Sequence, residues 1–113
     1  MFDRYQGGER AVLVHLDLYD DSKREELQEF LSLVSSAGIS QVALVTGRLQ
    51  SIHPKFFVGT GKADEIAAAV VQSGADVVIF NHALSPAQER NIEKLCSCRV
   101  VDRTGLILDI FAQ

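Results

Sequence analysis

Gly59–Phe80 reads GTGKADEIAAAVVQSGADVVIF, and its two halves decide what kind of sheet the chain can build. In the first half Ile66, Ala67, Val70 and Val71 recur at helical spacing and form the expected inner face of a helix, with Gly74 placed to stop it. The second half, Asp76–Phe80, is a short continuous apolar run bounded by turn residues. A strand without polar alternation is a strand covered on both faces, which is the habit of parallel sheets. A helix leading directly into such a strand is half of a βαβ unit.

The same alternation continues in both directions. Ala11–Leu18 (AVLVHLDL) reads as a strand. A helix follows, opened by a capping box at Ser22 and Glu25, lined by Leu27, Phe30, Leu31, Val34 and Ala37, and closed by Gly38. Ile39–Gly47 is a second strand, residues 48–55 a loop, and Phe56-Phe57-Val58 a short strand whose link to its predecessor is too short for a helical crossover. Ser85-Pro86-Ala87-Gln88 starts a helix by three signals at once: a serine cap, a proline at the first helical position and a glutamine closing the box. Its inner face is Ile92, Leu95 and Cys96; Arg99–Asp102 is a last short strand, and Thr104–Gln113 opens one more helix. The expected fold is α/β: a mostly parallel sheet of about four strands with helices on both faces, a Rossmann-like three-layer sandwich forming a single domain over residues 1–113.

The chain has 113 residues, 47% of them hydrophobic, enough for a core without staples. No apolar run approaches a membrane span and the first residues do not form a secretory signal, while Cys96 and Cys98 are too close to staple a fold. A cytoplasmic location is expected. The net charge of −4 argues against coating by nucleic acid through overall charge. The distribution is uneven, however: no Asp or Glu lies between Glu29 and Asp64, a window that holds Arg48, His53, Lys55 and Lys62. Six of the eight residues from Leu106 to Gln113 are apolar, with no stop signal after them, so the chain is expected to be a piece of a longer protein. An isolated copy is expected to self-associate through Leu106, Ile107, Leu108, Ile110 and Phe111.

Gly59-Thr60-Gly61-Lys62 is the first candidate site. Gly61-Lys62 matches the end of the P-loop pattern, but Phe56 stands at the first glycine and Ala63 at the magnesium-binding hydroxyl. Asp64 likewise breaks the dinucleotide pattern. What remains is a pair of glycines and a lysine at a helix N-terminus, either an anion site or a strand-to-helix turn. A second group follows the later strands: Asn81 and His82, then Asp102, Arg103 and Thr104, which line a ligand crevice in one reading and form turns and helix caps in the other. Cys96-Ser97-Cys98 has no second pair and the three histidines are scattered, so neither a metal site nor a catalytic nucleophile is expected.

Residues 57–66 (FVGTGKADEI) and 82–113 (HALSPAQERNIEKLCSCRVVDRTGLILDIFAQ) together resemble the N-terminal domain of the HflX family of ribosome-associated GTPases. Residues 1–18 are similar to the start of its gammaproteobacterial members. The resemblance covers the whole chain and is most specific from Leu84 to Gln113, where Ile92 replaces a more usual leucine. It implies that the chain continues into a helical subdomain and a G domain with a true P-loop, where GTP and Mg2+ would bind; these 113 residues contain neither. It also implies a partner, the 50S ribosomal subunit and its rRNA, and a role in splitting or rescuing stalled ribosomes under heat stress. Gly59, Thr60, Gly61 and Lys62, with Arg48 and Lys55, are then expected to meet rRNA phosphates. An ATP-dependent activity attributed to this region of the family keeps an independent ATP-binding domain as an alternative, beside a plain scaffold for the G domain.

Overall fold

The computed structural model describes residues 9–18, 24–49 and 51–112. Strands β1 (Arg10–Leu18), β2 (Ser40–Leu49), β3 (Val77–Phe80) and β4 (Arg99–Val101) alternate with helices α1 (Arg24–Ser36), α2 (Thr60–Ser73), α3 (Pro86–Cys96) and α4 (Arg103–Ala112). The strands form one sheet in the order β2-β1-β3-β4, parallel at every pairing. The expected α/β three-layer architecture is the observed one.

Strand parity sorts the core into two halves. In β1 and β3 the even residues Val12, Val14, Leu16, Val78 and Phe80 pack against Ala63, Ile66 and Val70 of α2 and Ile92 and Cys96 of α3. The odd residues Ala11, Leu13, Val77 and Ile79 pack on the other side with Phe30 and Val34 of α1 and Leu106 of α4. Both faces of the two central strands are therefore covered, which is why their sequences run apolar without alternation. At the edge, β2 alternates: Val45 and Leu49 are buried while Leu44, Thr46 and Arg48 are exposed.

Local chemistry sets the helix ends. Ser85 Oγ accepts from the Gln88 N–H at 3.1 Å and Gln88 Oε1 accepts from the Ser85 N–H at 2.8 Å, completing the capping box. Gly74 closes α2 in the left-handed conformation (φ 68°), its N–H donating to the Val70 carbonyl. Replacing Ser85 by alanine is expected to cost about 1 kcal/mol, read as a lower urea midpoint at unchanged slope.

Four expectations need correction or qualification. Phe56–Val58 is not a strand: His53 and Phe57 form an isolated antiparallel bridge, and Phe57 takes a left-handed backbone (φ 70°) that turns the chain toward α2. Val71 is 81% exposed, because the buried stripe of α2 runs Ala63, Ile66, Val70 and leaves Val71 a further 100° round the helix. Leu106, placed in the expected self-association surface, is 1% exposed and belongs to the core beneath α1 and α4. Of that surface Ile107 is half-buried, Leu108 is 63% exposed, and the side chains of Ile110 and Phe111 lie outside the described residues. The cap expected at Ser22 also lies outside them.

Candidate anion-binding loop and strand-end crevice

The order β2-β1-β3-β4 creates a switch point. From β1 the chain passes through α1 to β2 on one side; from β2 it crosses back on the opposite face through α2 to β3. The connections diverge between β1 and β3, and the space beyond the carboxyl ends of those strands is where open α/β sheets bind ligands.

The structure places Asn81 and His82 at this point, one step past β3, and brings them against His15, Leu16 and Asp17 of β1. On the β3-facing edge of β1, the Arg10 carbonyl accepts from the Asp76 N–H and the Val14 carbonyl from the Asn81 N–H. The next amide along that edge is Leu16, and because β3 has ended it donates to His82 Nε2 at 3.0 Å. The imidazole thus extends the ladder beyond the strand and is held as the neutral Nδ1–H tautomer. It lies near parallel to His15, with centroids 5.9 Å apart, and tilted 30° against Phe57 at 5.1 Å. Burial, then the neighbouring His15 and Arg103, push its pKa down to about 4, with Asp17 opposing.

On the α1 side His15 and Asn81 are both buried. Asn81 Nδ2 lies 2.9 Å from His15 Nδ1 and 3.5 Å from the Glu26 carbonyl oxygen. As the amide donates to Nδ1, the His15 proton sits on Nε2, 3.5 Å from Asp17 Oδ1. Asn81 Oδ1 is buried and has no hydrogen-bond partner among the described residues.

Asp102 is a structural residue. Its Oδ1 accepts from the Gly105 N–H at 2.9 Å, capping α4, and its Oδ2 accepts from the Leu84 N–H at 3.1 Å. Arg103 donates its backbone N–H to the His82 carbonyl and its guanidinium to Glu29, each at 3.3 Å, while Thr104 is exposed. Both cysteines are free; burial, then Cys98, pushes the Cys96 thiol up to about 11, leaving it unreactive.

At the start of α2, Gly59 is the cap residue and no side chain among the described residues satisfies the helix end. The first helical bond runs from the Ala63 N–H to the Gly59 carbonyl. The N–H groups of Thr60, Gly61 and Lys62 precede it and have no intrahelical acceptor. Thr60 and Gly61 are exposed, and a Cβ built on Gly61 meets open space. The Lys62 side chain turns away from this end: its Nζ lies 3.0 Å from the Thr46 carbonyl oxygen and 2.9 Å from Glu65 Oε1. It reaches Thr46 across Gly47, where a Cβ would come within 3.0 Å of Nζ.

The cations do not form a single row. Strand alternation puts Arg48 on the face of β2 opposite Gly47 and Lys62. Lys55 is exposed, with its Nζ 5.2 Å above the Phe56 ring and its carbonyl accepting from Asn91 of α3. His15, Asp17 and Phe57 were absent from the expected site. A histidine in an otherwise apolar strand, with an aspartate two residues on along the same face, was the available signal for the first two; Phe57 had none.

Fold and crevice together define an open α/β domain with a cluster of polar residues at the β1/β3 switch point. The family described as GTP-binding GTPase N-terminal matches residues 24–112, most of the chain. GTPase HflX of Escherichia coli K12 is 66% identical over 113 residues, covering all of this chain and 26% of that protein. GTPase HflX of Flavobacterium psychrophilum is 38% identical over 109 residues, covering 93% of this chain and 26% of its own length. The chain belongs to the GTP-binding GTPase N-terminal family, as the N-terminal domain of an HflX-type protein, and spans about a quarter of the length of these relatives. The same fold occurs in a GTP-binding protein of Sulfolobus solfataricus solved with GDP, at 21% identity and a TM-score of 0.68 over 91% of this chain and 30% of that one. The G235S variant of SsGBP gives a TM-score of 0.72 at 21% identity, over 90% of this chain and 32% of that one.

Proposed function

We propose that this chain is the ribosome-facing domain of an HflX-type GTPase, and that the N-terminus of α2 binds a phosphate of 50S rRNA. The observation that carries the reading is the uncapped, exposed start of α2, where Thr60, Gly61 and Lys62 offer three unfilled N–H donors in a stretch free of acidic residues. Lys62 keeps its ammonium on the Thr46 carbonyl and Glu65, so the helix N–H groups carry the contact. Lys55, exposed in the turn before α2, is placed for a neighbouring phosphate, while Arg48 lies on the other face of β2. Similarity to proteins named GTPase HflX supports a GTPase as the whole protein. In the proposed reading GTP and Mg2+ bind in a G domain, and the protein acts in the cytoplasm to split or rescue stalled ribosomes. The 113 residues carry no G-x-x-x-x-G-K-[ST] motif, so they are expected to hydrolyse no GTP.

Gly61→Glu tests the phosphate site cleanly. The side chain has room, and an acid at a helix N-terminus favours the fold by up to about 1 kcal/mol. The same acid repels a phosphate, so 50S affinity should fall by about 1 kcal/mol or more. Unchanged affinity in a folded Gly61→Glu chain would reduce the loop to a turn and leave the domain a scaffold. A second reading, a nucleotide in the switch-point crevice, is favoured by the unpartnered Asn81 Oδ1; equilibrium dialysis with ATP, against Asn81→Ala, distinguishes it.

A further inference from the structure

We propose that His82 is a positioning residue for the α2 phosphate site: it ties the end of β1 to the ring of Phe57 and so fixes the loop that delivers the helix N-terminus. The inference rests on the phosphate reading above and adds a residue that touches no phosphate. Phe57 lies two residues before the Gly59 cap, 2% exposed, with a left-handed backbone that a residue bearing a side chain holds only under tertiary constraint. The constraint comes from several sides. His53 and Phe57 exchange backbone bonds of 3.1 and 2.9 Å, and α3 pins the same turn through Gln88 Nε2 to the His53 carbonyl (2.9 Å) and Asn91 Nδ2 to the Lys55 carbonyl (3.0 Å). The Phe57 ring meets Phe80 edge-on at 6.2 Å and His82 at 5.1 Å.

His82 is the member of this group that couples the loop to the sheet end. Its Nε2 is the acceptor for the Leu16 N–H, so the ring cannot swing away from Phe57 without leaving that amide unpaired. Protonation would set an N–H against an N–H at the same place and push the ring off. The charged and titratable groups facing it are His15 and Asp17 from β1 and Arg103 from α4, itself bonded to Glu29 of α1. The balance of burial, His15 and Arg103 over Asp17 keeps the imidazole neutral near pH 7, the state the clamp needs.

Two variants separate the parts of the clamp. His82→Gln offers an acceptor to Leu16 without a ring, and His82→Phe keeps a ring without an acceptor. Amide hydrogen exchange at His53 and Phe57 should be at least tenfold faster in both, with Ile79 in β3 unchanged. Affinity for 50S subunits at neutral pH should fall about threefold, less than in Gly61→Glu, while its salt slope stays that of the wild type, because the phosphate contacts in the bound state are the same. On acidification the Phe57 and Gly59 amide resonances of the wild type should follow His82 protonation, and those of His82→Gln should not. Wild-type exchange at His53 and Phe57 in both variants overturns the proposal, as does a loosened loop with unchanged 50S affinity. A wild-type chain that fails to bind 50S overturns the ribosome reading instead, and the exchange comparison then still decides whether His82 sets the loop.

Discussion

Replacing Phe80 by alanine should remove about 3–5 kcal/mol of stability, the largest loss expected from any single truncation here. Phe80 ends the central strand β3 with no exposed surface, and its ring is the edge partner of Phe57 at 83°. Truncation opens a cavity between the sheet and α2 and α3, removes an aromatic pair, and frees the strained turn at Phe57. Domains of this size are stable by about 5–15 kcal/mol, so the variant should sit close to unfolding at room temperature. Phe80→Leu keeps most of the volume and should cost about 1.5 kcal/mol or less if the core repacks. Urea denaturation of the three proteins measures both differences; an alanine variant within about 1 kcal/mol of wild type would mean that the site collapses around the missing ring.

The second large effect is on pH. The folded chain holds His82 at about 4, against 6.5 when unfolded. Between those values the unfolded state binds the extra proton, so stability falls as pH falls. The contribution is fully present above pH 6.5 and is lost progressively as pH drops to about 4. A drop from 6.5 to about 4 corresponds to about 3 kcal/mol, which solvent screening of a partly exposed ring reduces to roughly 2 kcal/mol. Urea midpoints at pH 7 and pH 5 should differ in this direction in the wild type and much less in His82→Gln. Equal slopes in the two proteins would place the acid sensitivity elsewhere.

The fold was legible where local signals and burial agree. The apolar run Val77–Phe80 is the both-faced strand, and Ser85-Pro86-Ala87-Gln88 is a complete capping box because every donor and acceptor it needs lies within four residues. The clustering of Asn81 and His82 at the strand ends was legible in outline, since polar residues after strands are visible in one dimension. What failed depended on contacts between distant residues. Phe56–Val58 has a strand-like composition, yet Phe57 is turned by rings at positions 80 and 82. Lys62 has the place of a phosphate lysine, yet the small Gly47 opens a path to the Thr46 carbonyl, sixteen residues back. Asp102 and Arg103 were open to a crevice reading and a turn-and-cap reading; the cap reading holds for Asp102, which caps α4, and Arg103 is bonded to Glu29.

The central claim is a phosphate contact with the 50S subunit at the start of α2, and the salt dependence of 50S binding tests it most directly. Two phosphates met by the α2 N-terminus and Lys55 predict that log K falls linearly with log salt at a slope of about −2. Gly61→Glu should bind more weakly with a slope shallower by about one. Affinity that does not change with salt, or an identical slope and affinity in Gly61→Glu, would contradict the account.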